Sequence, residues 1–204
     1  MAKAGRPSWS RRFFRFGRFG DHPCCWVDGN CGCLSPPGGD HLSDGDLREG
    51  RIRAAMAGHV GDESSARASL TSDDPPSRCL ALGALERLNS LSAPELRTAL
   101  NDPSASVRRR ALEITARRSD VNARCCLTDS DPSVAEAAAF AVGEQLDSEA
   151  ARALIEMAER HDDALCRESA VAALGVLASS SDVDGEAILG CLIGAMNDLS
   201  LIHI

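Results

Sequence analysis

The chain has 204 residues, 44% hydrophobic and 25% charged, with a formal net charge of −8, a composition suited to one soluble domain or one short repeat array. It contains no Tyr, and both Trp and four of the five Phe lie within the first 26 residues. Downstream Phe140 is the only aromatic, so the core has to be built from Ala, Leu, Val and Ile, which suits closely stacked helices and argues against a sheet.

Residues 1–45 read as a disordered leader. The first 20 residues carry six bases and no acid; of 22 bases and 30 acids in all, residues 21–204 therefore hold 16 against 30, a net of −14. An acidic body repels phosphate backbones, which excludes nucleic-acid binding through the rest of the chain. Behind the basic stretch come Cys24-Cys25, Cys31-Gly32-Cys33 and Pro36-Pro37-Gly38-Gly39, with no helical or strand period. Cys24, Cys25, Cys31 and Cys33 with His22 could supply four zinc ligands. Structural zinc sites use Cys pairs separated by two to four residues; Cys24 to Cys31 is too wide, Cys31 to Cys33 too tight, and no metal ligand is assigned. Ser10-Arg11-Arg12-Phe13-Phe14 resembles the opening of a twin-arginine export signal, but Arg15, Gly17, Arg18, Gly20 and Asp21 interrupt the apolar stretch such a signal needs. The Arg-Phe alternation could bind anionic lipid or nucleic acid by charge plus insertion or stacking; alternatively, translation starts downstream and the leader is not made.

Residues 46–198 carry a recurring pattern. Arg78-Cys79-Leu80-Ala81, Arg108-Arg109-Arg110-Ala111, Ala135-Glu136-Ala137-Ala138 and Arg167-Glu168-Ser169-Ala170 align, with spacings of 30, 27 and 32 residues between the final Ala of each. The next columns are Leu82, Leu112, Ala139, Val171, then Ala84, Ile114, Ala141, Ala173 and Leu85, Thr115, Val142, Leu174. Together they form one stripe of a 3.6-residue helix. A further column holds Leu88 and Leu177 but Arg118 and Gln145. Arg51 and Ala54 echo the motif as a degenerate first copy. Asp74-Pro75, Asp102-Pro103 and Asp131-Pro132 place an N-cap carboxylate before a Pro at the first helical position, and Asp162-Asp163 supplies a cap without Pro. Shorter second helices are expected between the first ones: Ser92-Ala93-Pro94-Glu95 opens one to Leu100, Asp120 precedes one ending near Leu127, and residues 148–160 and 184–197 form two longer members. About nine antiparallel helices and no strand are expected. One helix pair cannot bury its apolar face alone, whereas pairs stacked at a fixed period can.

Leu100-Asn101-Asp102-Pro103 through Val107-Arg108 to Ala111-Leu112 resembles the short bacterial HEAT-like repeat, the variety also found in phycobilisome bilin lyases. The resemblance implies an all-α fold, an α-α superhelix or solenoid, over about 150 residues, and it is specific for fold and weak for function. After Met196-Asn197-Asp198 the register stops in the apolar tail Leu199–Ile204. That tail resembles a translated adapter end, and the natural chain is expected to continue beyond it. Ile188, Leu189, Leu192, Ile193 and Met196 then form an uncapped C-terminal edge through which the chain is expected to self-associate.

Parts for catalysis are missing from the pattern. There is no His-Glu dipeptide of the kind repeated in HEAT-repeat di-iron hydroxylases; His59, His161 and His203 stand alone; no Gly-rich phosphate loop or nucleophile elbow occurs. A DNA glycosylase groove would need aromatic and basic residues where this chain is acidic. No catalytic or cofactor-binding residue is assigned, and no cofactor is expected. The column Arg78, Arg108, Arg167 reads as structural, forming Asp–Arg ladders between neighbouring helix pairs. Of nine Cys, Cys79, Cys125, Cys126, Cys166 and Cys191 sit among apolar periodic residues as small hydrophobes, which favours a reducing cytoplasm. No apolar run approaches a membrane span. The expected function is a cytoplasmic scaffold or adaptor that binds a protein partner through polar positions of the second helices, Arg97, Arg124, Arg152 and Glu156. The resemblance implies an alternative: an enzyme or enzyme subunit of the bilin-lyase type holding a chromophore or its carrier protein.

Overall fold

A computed structural model describes residues 43–179 and 184–196; the expectations for Cys24, Cys25, Cys31, Cys33, His22, the twin-arginine stretch, His203 and Leu199–Ile204 lie outside the described residues. The helices begin where acids and hydroxyls can accept from an open first turn. A capping box of Ser43 and Asp46 opens α1 (Asp44–Val60), two residues ahead of the expected boundary. Gly61, at φ 81°, closes it by donating its N–H to the Ala57 carbonyl, a left-handed turn that costs glycine little. Asp62 caps α2 (Glu63–Ser69). Asp74 caps α3 (Pro75–Arg87), with Pro at the start. The expected capping box of Ser92 and Glu95 opens α4 (Ala93–Leu100). There follow α5 (Ala105–Thr115), a single 3-10 turn at Arg124–Cys126, and α6 (Pro132–Gln145), capped by Asp131. A 3-10 turn at Ser148–Ala150 runs into α7 (Ala151–Arg160). Asp163 caps α8 (Ala164–Leu177) and Asp184 caps α9 (Gly185–Ala195). Among the described residues the fold is all-helical, nine α-helices and no strand.

Two starts differ from expectation. Asp102 does not cap α5; Ser104 occupies that position without a side-chain bond. The Asp102 carboxylate instead accepts from Arg78 and from the Ser104 N–H at 2.8 Å, so the helix begins after Pro103 rather than at it. The helix expected behind Asp120 shrinks to the 3-10 turn. Gln145 bridges the end of α5 and the first residue of this stretch, its Nε2 lying 3.0, 2.9 and 2.7 Å from the carbonyl oxygens of Thr115, Arg118 and Val121. These carbonyls have a side-chain partner and need no helical one.

Successive first helices pack side by side: α1 on α3, α3 on α5, α5 on α6, and α6 on α8. The second helices lie against them, α2 on α1 and α3, α4 on α5, α7 on α8 and α9. Ala81, Ala111, Ala138 and Ala170 are all at 0% exposure, as the register demands. Leu82, Leu112, Leu85, Val142, Leu174 and Leu177 are equally buried. Thr115, also buried, returns its hydroxyl to the Ala111 carbonyl at 2.8 Å, so its polar atom stays satisfied. Small residues allow close approach at two further points. A Cβ on Gly58 would stand 2.7 Å from the Cα of Ala84, and one on Gly143 would stand 3.1 Å from the Cβ of Ala173.

The packing yields a graded stability test. Ala111→Leu, at a position with no free volume, is expected to lose about 1–3 kcal/mol in urea denaturation. Gly58→Ala is also expected to destabilise, despite alanine's helix preference of about 1 kcal/mol, because it collides with the α3 backbone. Gly175→Ala, on an exposed part of α8 with nothing within 4 Å of the new methyl, is expected to gain stability. Equal effects at Gly58 and Gly175 would show that the close α1–α3 contact is not present.

Candidate interaction surface

Two sets of polar bonds join one helix pair to the next. In the first, an Arg on α1, α3 and α5 grips the Asp that precedes the following first helix or its loop. Arg51 donates to both oxygens of Asp74 at 2.9 and 2.8 Å, Arg78 to Asp102 at 2.8 and 2.7 Å, and Arg108 to Asp129 at 2.7 and 2.8 Å. These are fork-to-fork pairs with the planar geometry that lysine cannot reproduce. A further donor of Arg78 turns back to the Ser72 carbonyl at 2.7 Å and one of Arg108 to that of Asp102 at 2.9 Å; Arg167, in the same position on α8, likewise donates to the His161 carbonyl at 2.7 Å. The expected Asp–Arg ladder is thus formed by Arg78 and Arg108 and, at the degenerate first copy, by Arg51, while Arg167 of the same column donates to the loop carbonyls of His161 and Asp162. The ladder skips α6, where Ala135 holds the position.

The acids respond to this setting. The bonds from Arg51 hold the Asp74 carboxyl well below the usual carboxylate range. Burial pushes Asp102 up, but the Arg78 and Ser104 donors outweigh it and the net direction is down. Bonds from Arg108 lower Asp129 in the same way.

The second set runs along the second helices. Arg67 on α2 pairs with Glu63 at 2.8 Å and with Glu95 of α4, and donates to the Ser90 carbonyl at 2.8 Å. Arg97 on α4 donates to the Asp120 carbonyl at 3.0 Å. Arg124 pairs with Asp147 at 2.8 Å and with Glu149. Of the expected partner-binding positions, Arg97 and Arg124 therefore brace neighbouring pairs to each other. Arg152 and Glu156 on α7 are exposed, Glu156 standing 3.9 Å from Arg160. Arg118 and Gln145, the polar residues that interrupt a core column, also cross between pairs, Arg118 donating to the Leu91 carbonyl at 2.7 Å. That interruption was the sequence signal for their role.

Two clefts open at the junctions. One, of about 270 Å³, is lined largely by Ser65, Ser69, Ser72 and Ser77. The other, of about 370 Å³, is lined by Leu100, Asn101, Asp102, Arg108, Cys125, Cys126, Asp129 and Ser130. Cys126, Cys166 and Cys191 are buried as expected, whereas Cys79 is half-buried and Cys125 is exposed, because its 3-10 turn has no wide apolar face. Burial pushes the Cys126 and Cys166 thiols up to about 12. His59 is exposed; His161 is half-buried, its Nδ1 accepting the Asp163 N–H at 3.1 Å. Among the described residues no cluster of three or more His, Cys, Asp or Glu is placed to hold a metal, and no helix is long and apolar enough to cross a membrane. On α9, Ile188 is buried and Leu192 is partly packed, while Leu189, Ile193 and Met196 are 57%, 54% and 75% exposed. Comparison of the chain with protein-family models and with curated proteins gives no match.

The ladder makes a pH prediction. A carboxylate whose folded pKa is depressed stabilises the fold above its unfolded value near 4, and the contribution disappears as pH falls through the folded value. Asp102→Asn is expected to cost about 1.5–3 kcal/mol at pH 7, the range for hydrogen bonds to charged groups. Its deficit relative to the native chain should shrink as pH falls below about 4, where Asp102 of the unfolded chain begins to take up a proton while the folded carboxylate, held lower by Arg78, does not. Denaturation midpoints at neutral and acid pH measure this; a pH-independent deficit would remove the charge from the explanation.

Proposed function

We propose that residues 46–198 form a HEAT-like α-solenoid that serves as a non-catalytic, cytoplasmic protein-binding scaffold. The observation that carries this reading is the recurrence of one cross-link, a first-helix Arg forked onto the next pair's Asp, at three successive junctions. Stability built from nearest-neighbour contacts of this kind is the physics of a one-dimensional stack, whose product is an extended surface. On that surface Arg97 and Arg124 have a bracing task, so Arg152 and Glu156 are the positions at which a protein partner with complementary charges would be read. The clefts support a scaffold over a bilin-lyase-type enzyme subunit, since Ser, Asp, Asn and Arg dominate their walls and a pigment asks for a deep apolar lining.

The test is affinity capture with tagged full-length chain from a bacterial extract, scored by stoichiometric protein partners. Charge reversal at both Arg152→Glu and Glu156→Arg is expected to remove the captured partner, while Arg53→Glu on α1 leaves it bound. Capture indifferent to the α7 reversal would move the site elsewhere.

Self-association belongs to the same reading, through the exposed Leu189 and Met196 of α9. Light scattering should show concentration-dependent oligomers that Leu189→Asp with Met196→Asp abolishes; a chain monomeric at every concentration would dismiss this face.

A further inference from the structure

The 3-10 turn between α5 and α6 brings two adjacent thiols together. Side chains of neighbouring residues in such a turn diverge by roughly a third of a revolution, yet the Sγ atoms of Cys125 and Cys126 lie only 3.6 Å apart. Cys125 is exposed and Cys126 is 4% exposed, its Sγ 4.0 Å from the Leu100 carbonyl. Both line the cleft of about 370 Å³ between the end of α4 and the Arg108–Asp129 pair. On the polar wall Arg108 is bonded to both oxygens of Asp129.

The spacing selects among the reactions open to a dithiol. A disulfide requires the sulfurs about 2.0 Å apart, so the pair would have to close by about 1.5 Å inside one short turn. Two sulfurs about 2.3 Å from one central atom stand about 3.3–3.8 Å apart as the angle there opens from the near-right angle of a pyramidal centre to the tetrahedral value, a span that includes where these sulfurs already are. A divalent metal would want further protein ligands, and the described residues supply no cluster of three. A trivalent arsenical with two exchangeable oxygen bonds needs two sulfurs and no more.

We propose that Cys125 and Cys126 form a dithiol site that captures monosubstituted trivalent arsenicals. An arsenoxide R–As=O reacts with both thiols: two S–H bonds and the arsenic–oxygen bond break, two As–S bonds form, and the two protons leave with the oxygen as one water. Arsenic stays in the +3 state and the sulfurs are not oxidised, so no oxidant is needed. The exposed Cys125 adds first. Cys126, whose burial makes it a poor nucleophile alone, then closes the ring as an intramolecular step, where effective concentration replaces intrinsic reactivity. The cleft leaves room for the substituent on arsenic. The inference does not depend on the scaffold reading.

The experiment uses the full-length chain with Cys24, Cys25, Cys31 and Cys33 changed to Ser, which leaves Cys125–Cys126 as the remaining vicinal pair. Phenylarsine oxide is the probe and intact mass the readout, with excess monothiol present and far-UV circular dichroism confirming the fold of each variant. The expected result is one adduct, the mass of the arsenoxide less one water, that resists the monothiol and is removed by 1,2-ethanedithiol. Cys125→Ser, at an exposed position, and Cys126→Ala should each weaken retention by about 100-fold, the lower end of what linking two binding events supplies; Cys79→Ser should not. No monothiol-resistant adduct in the four-serine chain, or one that survives Cys125→Ser, overturns the proposal.

Discussion

Because Ala81, Ala111, Ala138 and Ala170 carry only a methyl group and have no accessible surface, the first helices of successive pairs approach almost to backbone contact. Gly58 against Ala84 and Gly143 against Ala173 are two points where an added methyl would have no room. Interiors are packed to the density of organic crystals, so a core with so little side-chain volume must gain its dispersion energy from backbone proximity. That proximity also brings each loop within reach of the preceding first helix. The Arg–Asp forks follow from it, since they span a gap that larger core residues would have widened.

The junction without a fork shows how the two contributions trade. At α6 the Arg position is Ala135, fully buried, and no guanidinium bridges to the loop before α8 from there. The α6–α8 contact holds Gly143 tight against Ala173 and adds a weak bond from the Cys166 thiol to the Pro132 carbonyl at 3.1 Å. Apolar contact replaces the ion pair at this junction, where burial raises the Glu136 carboxyl above its ordinary value. At the junctions that keep the fork, Asp74, Asp102 and Asp129 face their Arg with 6%, 11% and 11% of the side chain exposed. These pairs lie well inside the range where a lost partner is felt, unlike the helix-surface pair of Arg53 and Glu49.

The polar residues of the second helices divide by the same logic. Arg67, Arg97 and Arg124 each reach toward the next pair, so a substitution there alters the stack before it alters any surface. Arg152 and Glu156 sit where substitution changes surface charge and little else. A binding role and a bracing role are therefore separable on this molecule, which makes the scaffold reading open to mutation without unfolding the chain.

Periodicity and capping chemistry by themselves determined that the chain is helical, where α3, α4, α6 and α8 begin, and which alanines are buried. These are local properties: a 3.6-residue stripe and an acid before proline act within a few residues of themselves. Column position also marked Arg78 and Arg108 as structural. Only the tertiary structure decided what competes with a local signal. Asp102 carries a cap motif yet bonds to Arg78, 24 residues away in sequence. Behind Asp120 only a 3-10 turn forms, and Gln145, 24 residues on from Val121, bonds the Val121 carbonyl as well as those of Thr115 and Arg118 before it. Arg97 and Arg124 read as surface residues until the neighbouring pair is placed beside them. The Sγ atoms of Cys125 and Cys126 lie 3.6 Å apart, a spacing set by their side-chain rotamers and surroundings that adjacency in sequence does not fix. In each case the deciding partner lies on another helix pair or in a loop held by one, and no pattern confined to a single turn can register it.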